Sequence, residues 1–249
     1  MSTLVNGTTH GISFGNYHSI NDFGLVLASY PVVSPAEVKE DYKDIEGRDG
    51  ALDFTEQFGR VFFYDRSFDC ELTLIDDRTN WEWAYSQVQN AIHGQKMKIR
   101  LDNDLSHYWE GRVTVSNWQP KRADGIISVH GRVGAYKNDW YSSLDDWLWD
   151  PFDFEHDIVR DYGHIPVHGR VSTTIVGSRK PVQPVFMVTT NSEILYSHVS
   201  DDERTGIINN VVLKNGNVTS PDITYYEGEI KVTFDGEGEV SILYRGGSL

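Results

Sequence analysis

Apolar and polar positions alternate along most of this chain with the period of two that belongs to β-strands. From Ser67 to Leu74 the alternation is strict: Phe68, Cys70, Leu72 and Leu74 share one face, and Ser67, Asp69, Glu71 and Thr73 share the other. Such a strand buries one face only, which places Cys70 in the core as a small hydrophobe. The pattern recurs with Met97, Ile99 and Leu101, then Val113 and Val115, then Ile127 and Val129. The last two strands join through the polar turn Lys121-Arg122-Ala123-Asp124-Gly125, and the series reads as an antiparallel meander. Nearer the end, Ile230, Val232 and Phe234 alternate up to Asp235-Gly236-Glu237-Gly238, and Val240, Ile242 and Tyr244 alternate after it, which predicts a hairpin with a Gly-rich turn.

One stretch has a helical period instead. Trp81, Tyr85, Val88 and Ile92 recur at i, i+4, i+7 and i+11, with Thr79 or Asn80 as N-cap and Gly94 just past the end. This predicts a single amphipathic helix laid across a sheet.

The 249 residues suffice for one large β domain or two ordinary ones. Aromatic usage divides them: Trp81, Trp83, Trp109, Trp118, Trp140, Trp147 and Trp149 all precede residue 150, and the Asp-, His- and Pro-rich stretch from Tyr141 to His168 follows the main group. The junction is therefore expected between residues 140 and 165. Trp81, Trp109 and Trp118 are assigned to packing, and Trp147 and Trp149 to an interdomain seam or subunit contact.

Net charge is −15, from 37 acidic and 22 basic residues, and no run of Lys and Arg exceeds two, so the field opposes a nucleic-acid backbone. Divided at residue 150, the parts carry 14 basic against 23 acidic and 8 against 14, or −9 and −6. The lone Cys70 excludes an intrachain disulfide. Met1 to Gly15 does not read as a signal peptide, and the sequence has no stretch of the ~18 apolar residues that a membrane helix needs. The triplets Asn6-Gly7-Thr8 and Asn217-Val218-Thr219 are read as chance glycosylation matches.

Candidate chemistry is sparse. Asp102-Asn103-Asp104 opens like a calcium loop, but the sixth position is His107 where glycine is required, so a polar turn between strands is expected. His164 and His168 flank Ile165-Pro166-Val167, whose proline keeps the segment extended and the imidazoles roughly 13 Å apart, too far for one zinc. Asp153-Phe154-Glu155-His156-Asp157 could hold a hard cation but reads as a polar junction. The pairs Asp76-Asp77, Asp145-Asp146 and Asp201-Asp202 could supply glycosidase carboxylates, yet adjacent residues point to opposite sides of a strand. No phosphate-binding Gly-x-x-x-x-Gly-Lys loop occurs. The expectation is a protein without catalytic residues, metal or cofactor.

Several segments together resemble the distal tail (Dit) family of siphophages. Gly11-Ile12-Ser13-Phe14-Gly15 and Phe23-Gly24-Leu25-Val26-Leu27 are similar to the family's opening strands. The run from Ile45 to Glu56 is similar to its Gly-Arg-Asp-Gly turn with a following Leu-Asp and Thr-Glu; here Gly47 and Gly50 bracket Arg48-Asp49 and permit a tight reversal at positive φ. The helix from Asn80 to Ile92, the strand from Lys96, the Tyr108 to Val113 strand and the ending Tyr244 to Leu249 follow in the family's order.

The resemblance implies a mainly β protein: an N-terminal β-sandwich with one α-helix and a β-hairpin over residues 1–145, forming a ring, and a C-terminal galectin-like β-sandwich over residues 146–249. It implies a homohexameric hub joining the tail tube protein to a tail-associated tip protein at the distal end of the virion's tail, synthesised in the bacterial host cytoplasm. Receptor-binding or baseplate proteins would be held by the C-terminal domain, with no nucleic acid or membrane as partner. Beyond residue 150 that domain has no tryptophan on which a sugar could stack, so scaffold use is expected of it. The alternatives are a cell-wall carbohydrate-binding module of a phage tail and, more remotely, a glycan hydrolase.

Overall fold

The computed structural model describes residues 10–74, 80–119, 125–145, 162–200 and 210–249. The chain is mainly β and divides into two compact units, Met1–Lys137 and Asn138–Leu249.

The first unit contains β1 (Ile12–Phe14), β2 (Tyr17–His18), α1 (Ser19–Phe23), β3 (Leu25–Leu27), β4 (Val32–Val33), β5 (Tyr42–Lys43), β6 (Leu52–Asp53), β7 (Arg66–Leu74), α2 (Trp81–Ile92), β8 (Lys96–Leu101), β9 (Asp104–Gln119) and β10 (Ile126–Val133). Its main sheet runs in the order β2-β1-β8-β9-β10-β7-β3, with β4 also on β7. Strands β8, β9 and β10 form the expected meander, and the turn residues 121–124 lie outside the described residues. The sheet curls until Leu27 N donates to His10 O at 3.1 Å, closing one end of the core.

Inside lie Phe68, Cys70 and Leu72 from β7 and Ile127 and Val129 from β10, all buried, while Asp69, Glu71, His130 and Arg132 point outward. Burial also pushes the Cys70 thiol far up in pKa. The helix α2 adds Ala84, Val88, Ala91 and Ile92 to the buried set, and half-buried Trp81 and Tyr85 pack against the core. Its N-cap is Asn80, whose side chain accepts from Glu82 N at 2.9 Å; Thr79 lies outside the described residues. Trp109 is buried, and Trp118 stacks on Tyr85 at 4.6 Å between ring centres. Both tryptophans belong to β9 itself.

A second helix corrects the expectation of one. The five residues of α1 are too few for a helical period to show; the helix is held by its ends, where His18 Nδ1 accepts from Ile20 N and Asn21 N and Gly24 closes it at φ 65°.

The second unit contains β11 (Lys137–Asp139), which begins on the last residue of the first, β12 (Ile165–Gly177), β13 (Val185–Thr189), β14 (Ile194–Ser200), β15 (Val211–Leu213), β16 (Gly216–Val218), β17 (Gly228–Leu243) and β18 (Gly247–Ser248). Its main sheet runs β15-β14-β17-β13-β16, with β12 also on β17. Asp139 N donates to Gly246 O and Ser143 N to Tyr244 O, tying the start of the unit to its last residues.

The predicted hairpin at Asp235 to Gly238 is absent: β17 is one continuous strand of 16 residues. Its first part pairs with β14, from Ile230↔Ser200 to Asp235↔Leu195, and its last with β13, from Glu239↔Thr189 to Leu243↔Val185, while β12 follows it from Gly228 to Val240. The changeover falls at Gly236 and Gly238, whose φ values are 151° and 149°. A Cβ would come 2.8 Å from Glu193 O at the first and 2.4 Å from Thr189 O at the second. These glycines thus bend a strand against close backbone neighbours rather than reverse it. Val232, Phe234, Val240 and Ile242, from both sides of the bend, are fully buried in one core.

Candidate functional site

The residues singled out for chemistry separate into ordinary structural pairs. Asp102 and Asn103 form the tight turn between β8 and β9. The Asp102 carboxylate accepts from Gly11 N at 3.0 Å and meets His18 Nε2 at 3.0 Å. Burial raises the Asp104 carboxyl, but hydrogen bonds from Lys137 and His107 outweigh it and hold the pKa below the usual carboxylate value. Both carboxylates are consumed in holding the fold.

His168 lies on extended β12 and meets Glu237 at 3.1 Å, whereas His164 pairs with Glu239. The hydrogen bond from His168 holds the exposed Glu237 carboxyl below its usual pKa. The two imidazoles therefore serve two carboxylates and share no common centre. Among the described residues, no group of three or more His, Cys, Asp or Glu is arranged to hold a metal ion, and no helix is long and apolar enough to cross a membrane. Asp145 accepts from Ser142 N. Asn217 is exposed on β16. Asp76-Asp77, Asp146, Trp147, Trp149, the Asp153 to Asp157 cluster, Asp201-Asp202 and Asn6-Gly7-Thr8 lie outside the described residues.

The feature that calls for a function is an arm. Between Pro31 and Phe68, both buried, no residue from Val32 to Ser67 is buried. The segment is nonetheless ordered by backbone pairing. At its base Val38 bridges Phe63, Lys39 N donates to Phe62 O at 2.8 Å and Tyr64 N to Glu37 O at 2.8 Å. Further out β5 and β6 pair as Tyr42↔Asp53 and Lys43↔Leu52, and the tip is the Gly47-Arg48-Asp49-Gly50 turn, with φ of 81° and 75° at its glycines.

Along this arm Tyr42, Ile45, Phe58 and Tyr64 are exposed, Phe58 by 75%. Carboxylates crowd it: Asp53 and then Glu40 raise the pKa of the Tyr42 phenol. A two-stranded ribbon without a core is marginal in water, and the exposed aromatics on it form an apolar surface that the chain's own cores leave uncovered. Strand pattern alone does not tell which of these residues stay uncovered, because an apolar residue at a strand position looks the same whether or not the chain's own core covers it.

A second surface is the outer face of the first unit's sheet. Lys96 stands opposite Arg112, and Arg112 opposite Arg132. Lys96 meets Glu110 at 2.9 Å, Arg132 meets Asp65 at 3.0 Å, and His130 meets Asp69 at 2.7 Å. In the second unit Leu195 and Val212, partners across β14 and β15, are both exposed, as is Val199 further along β14.

No family model matches this sequence, and no curated protein matches it. The architecture is that of a solved phage tail component. It matches the crystal structure of the SPP1 Dit (gp 19.1) protein, described as a paradigm of the hub adsorption apparatus in phages infecting Gram-positive hosts. The TM-score is 0.62 at 9% identity, over 97% of this chain and 100% of that one. The likeness runs end to end and lies in the fold, since nine in ten matched positions differ in residue.

Proposed function

We propose that this chain is a non-enzymatic structural hub of a phage tail, whose copies close into a ring of six at the distal end of the tail tube. The observation that carries the reading is the arm from Glu37 to Tyr64, paired but coreless, on a chain whose fold matches the SPP1 Dit hub along its whole length. Closed rings use heterologous contacts, so each subunit must offer two different complementary patches. The coreless arm is a natural choice for one of them.

In this reading residues 1–145 form the ring on the tail tube protein and meet a tail-associated tip protein. Residues 146–249 form a galectin-like domain directed outward, with the exposed Leu195, Val199 and Val212 available to receptor-binding or baseplate proteins. Tyr162, Phe186, Tyr196, Tyr225, Phe234 and Tyr244 of the second unit are all buried, which favours a scaffold over a glycan-stacking lectin. Native mass spectrometry of the full chain tests the assembly. A dominant species of six times the 28.4 kDa chain mass is expected, and a strict monomer, alone and with the tube protein, would refute the proposal.

A further inference from the structure

The chain's charge is unevenly placed, and the two surfaces described above lie on opposite sides of the imbalance. Although the whole carries −15, the three central strands β8, β9 and β10 present exposed Lys96, Lys98, Arg112 and Arg132 on the outer sheet face with one carboxylate, Glu110, among them: four minus one, or +3. Neighbouring β7 adds Asp69 and Glu71 at its margin. Within this patch Lys96, Arg112 and Arg132 occupy a single cross-strand row. Like charges directly opposite one another weaken a sheet. Glu110 and Asp65 offset Lys96 and Arg132 at the two ends of the row, and Arg112 between them donates to Gly94 O, so an anionic surface laid over the row relieves the remaining repulsion.

The arm has the complementary sign. From Glu37 to Glu56 it carries eight carboxylates against Lys39, Lys43 and Arg48, eight minus three, or −5. It is also the segment whose apolar residues find no core, with Tyr42 exposed by 57% and Ile45 by 47%.

We infer that the acidic arm of one copy lies across the basic outer sheet face of the next, an inference that rests on the ring proposed above and identifies its two surfaces. The arm's reach suffices: from Val38 to Gly47 an extended chain spans up to about 30 Å, whereas strands β8 to β10, spaced about 4.8 Å apart, present a face about 10 Å across. The carboxylates steer and orient the contact, while Tyr42, Ile45 and Phe58 supply the apolar area that holds it. Because arm and face are different patches, the contact is head-to-tail, as a closed ring requires.

Sedimentation of the full chain at low and high salt, with three sets of charge reversals at exposed positions, tests this. Wild type is expected to assemble less readily as salt rises. The face set K96E/R112E/R132E and the arm set E40K/D44K/E46K are each expected to weaken assembly at least about tenfold, and combining them in one chain to restore it. Circular dichroism shows whether each variant folds; if the variants do not, the wild-type salt titration decides. A wild-type ring indifferent to salt and to both sets, or a combined variant no better than either alone, overturns the inference while leaving the ring intact. A wild-type monomer overturns both.

Discussion

His198 shows how one residue can set a condition on the whole second unit. Its side chain is buried, Nδ1 has no hydrogen-bond partner, and burial lowers its pKa from 6.5. The folded state therefore binds its proton more weakly than the unfolded state, so stability is full above pH 6.5 and falls as the pH drops below it. Thermal melts from pH 7 to pH 5 are expected to show this loss, and to show a smaller one in H198L. At Gly238 the constraint is steric. A Cβ there meets Thr189 O at 2.4 Å on a backbone at φ 149°, so G238A is expected to lose about 1–3 kcal/mol in denaturant unfolding. A turn glycine at the tip of a free hairpin would tolerate the same change with little loss, which makes this variant a direct check that β17 is continuous.

Among elements, α2 is the one most plainly written in the sequence. Its apolar period, its asparagine cap and Gly94 at φ 74° all agree, because one face meets the chain's own core. I92A is expected to cost about 2–5 kcal/mol and N80A about 1 kcal/mol, by calorimetry or urea titration. The alternation of β7 and β10 was legible for the same reason. Part of what escaped was set by contacts distant in sequence. The hairpin expected at Asp235 to Gly238 fails because Gly-rich stretches mark close backbone approach as well as turns, and Thr189 and Glu193 are more than 40 positions away. In α1 the signal sits in one histidine cap and one glycine. The arm's tip was readable from its two glycines, but nothing local told that Tyr42 and Phe58 would remain uncovered.

At the scale of the molecule, the stability of the two units and the proposed assembly of copies are expected to be separable. The arm adds little to either core, since none of its residues is buried. Replacing Tyr42 and Phe58 together by Asp is expected to leave the melting temperature within the small range typical of surface changes, and to abolish higher species in sedimentation. Loss of both stability and assembly would show instead that the arm belongs to the fold. A 9% identity at full coverage accords with this separation, since cores tolerate extensive apolar substitution when patterning and volume are kept.

The central claim is that the coreless arm exists to be covered by another copy in a closed ring. Negative-stain electron microscopy of the purified full chain tests it most directly. Class averages with six-fold symmetry around a central opening are predicted; single two-lobed particles at every concentration, or open filaments that never close, would contradict it.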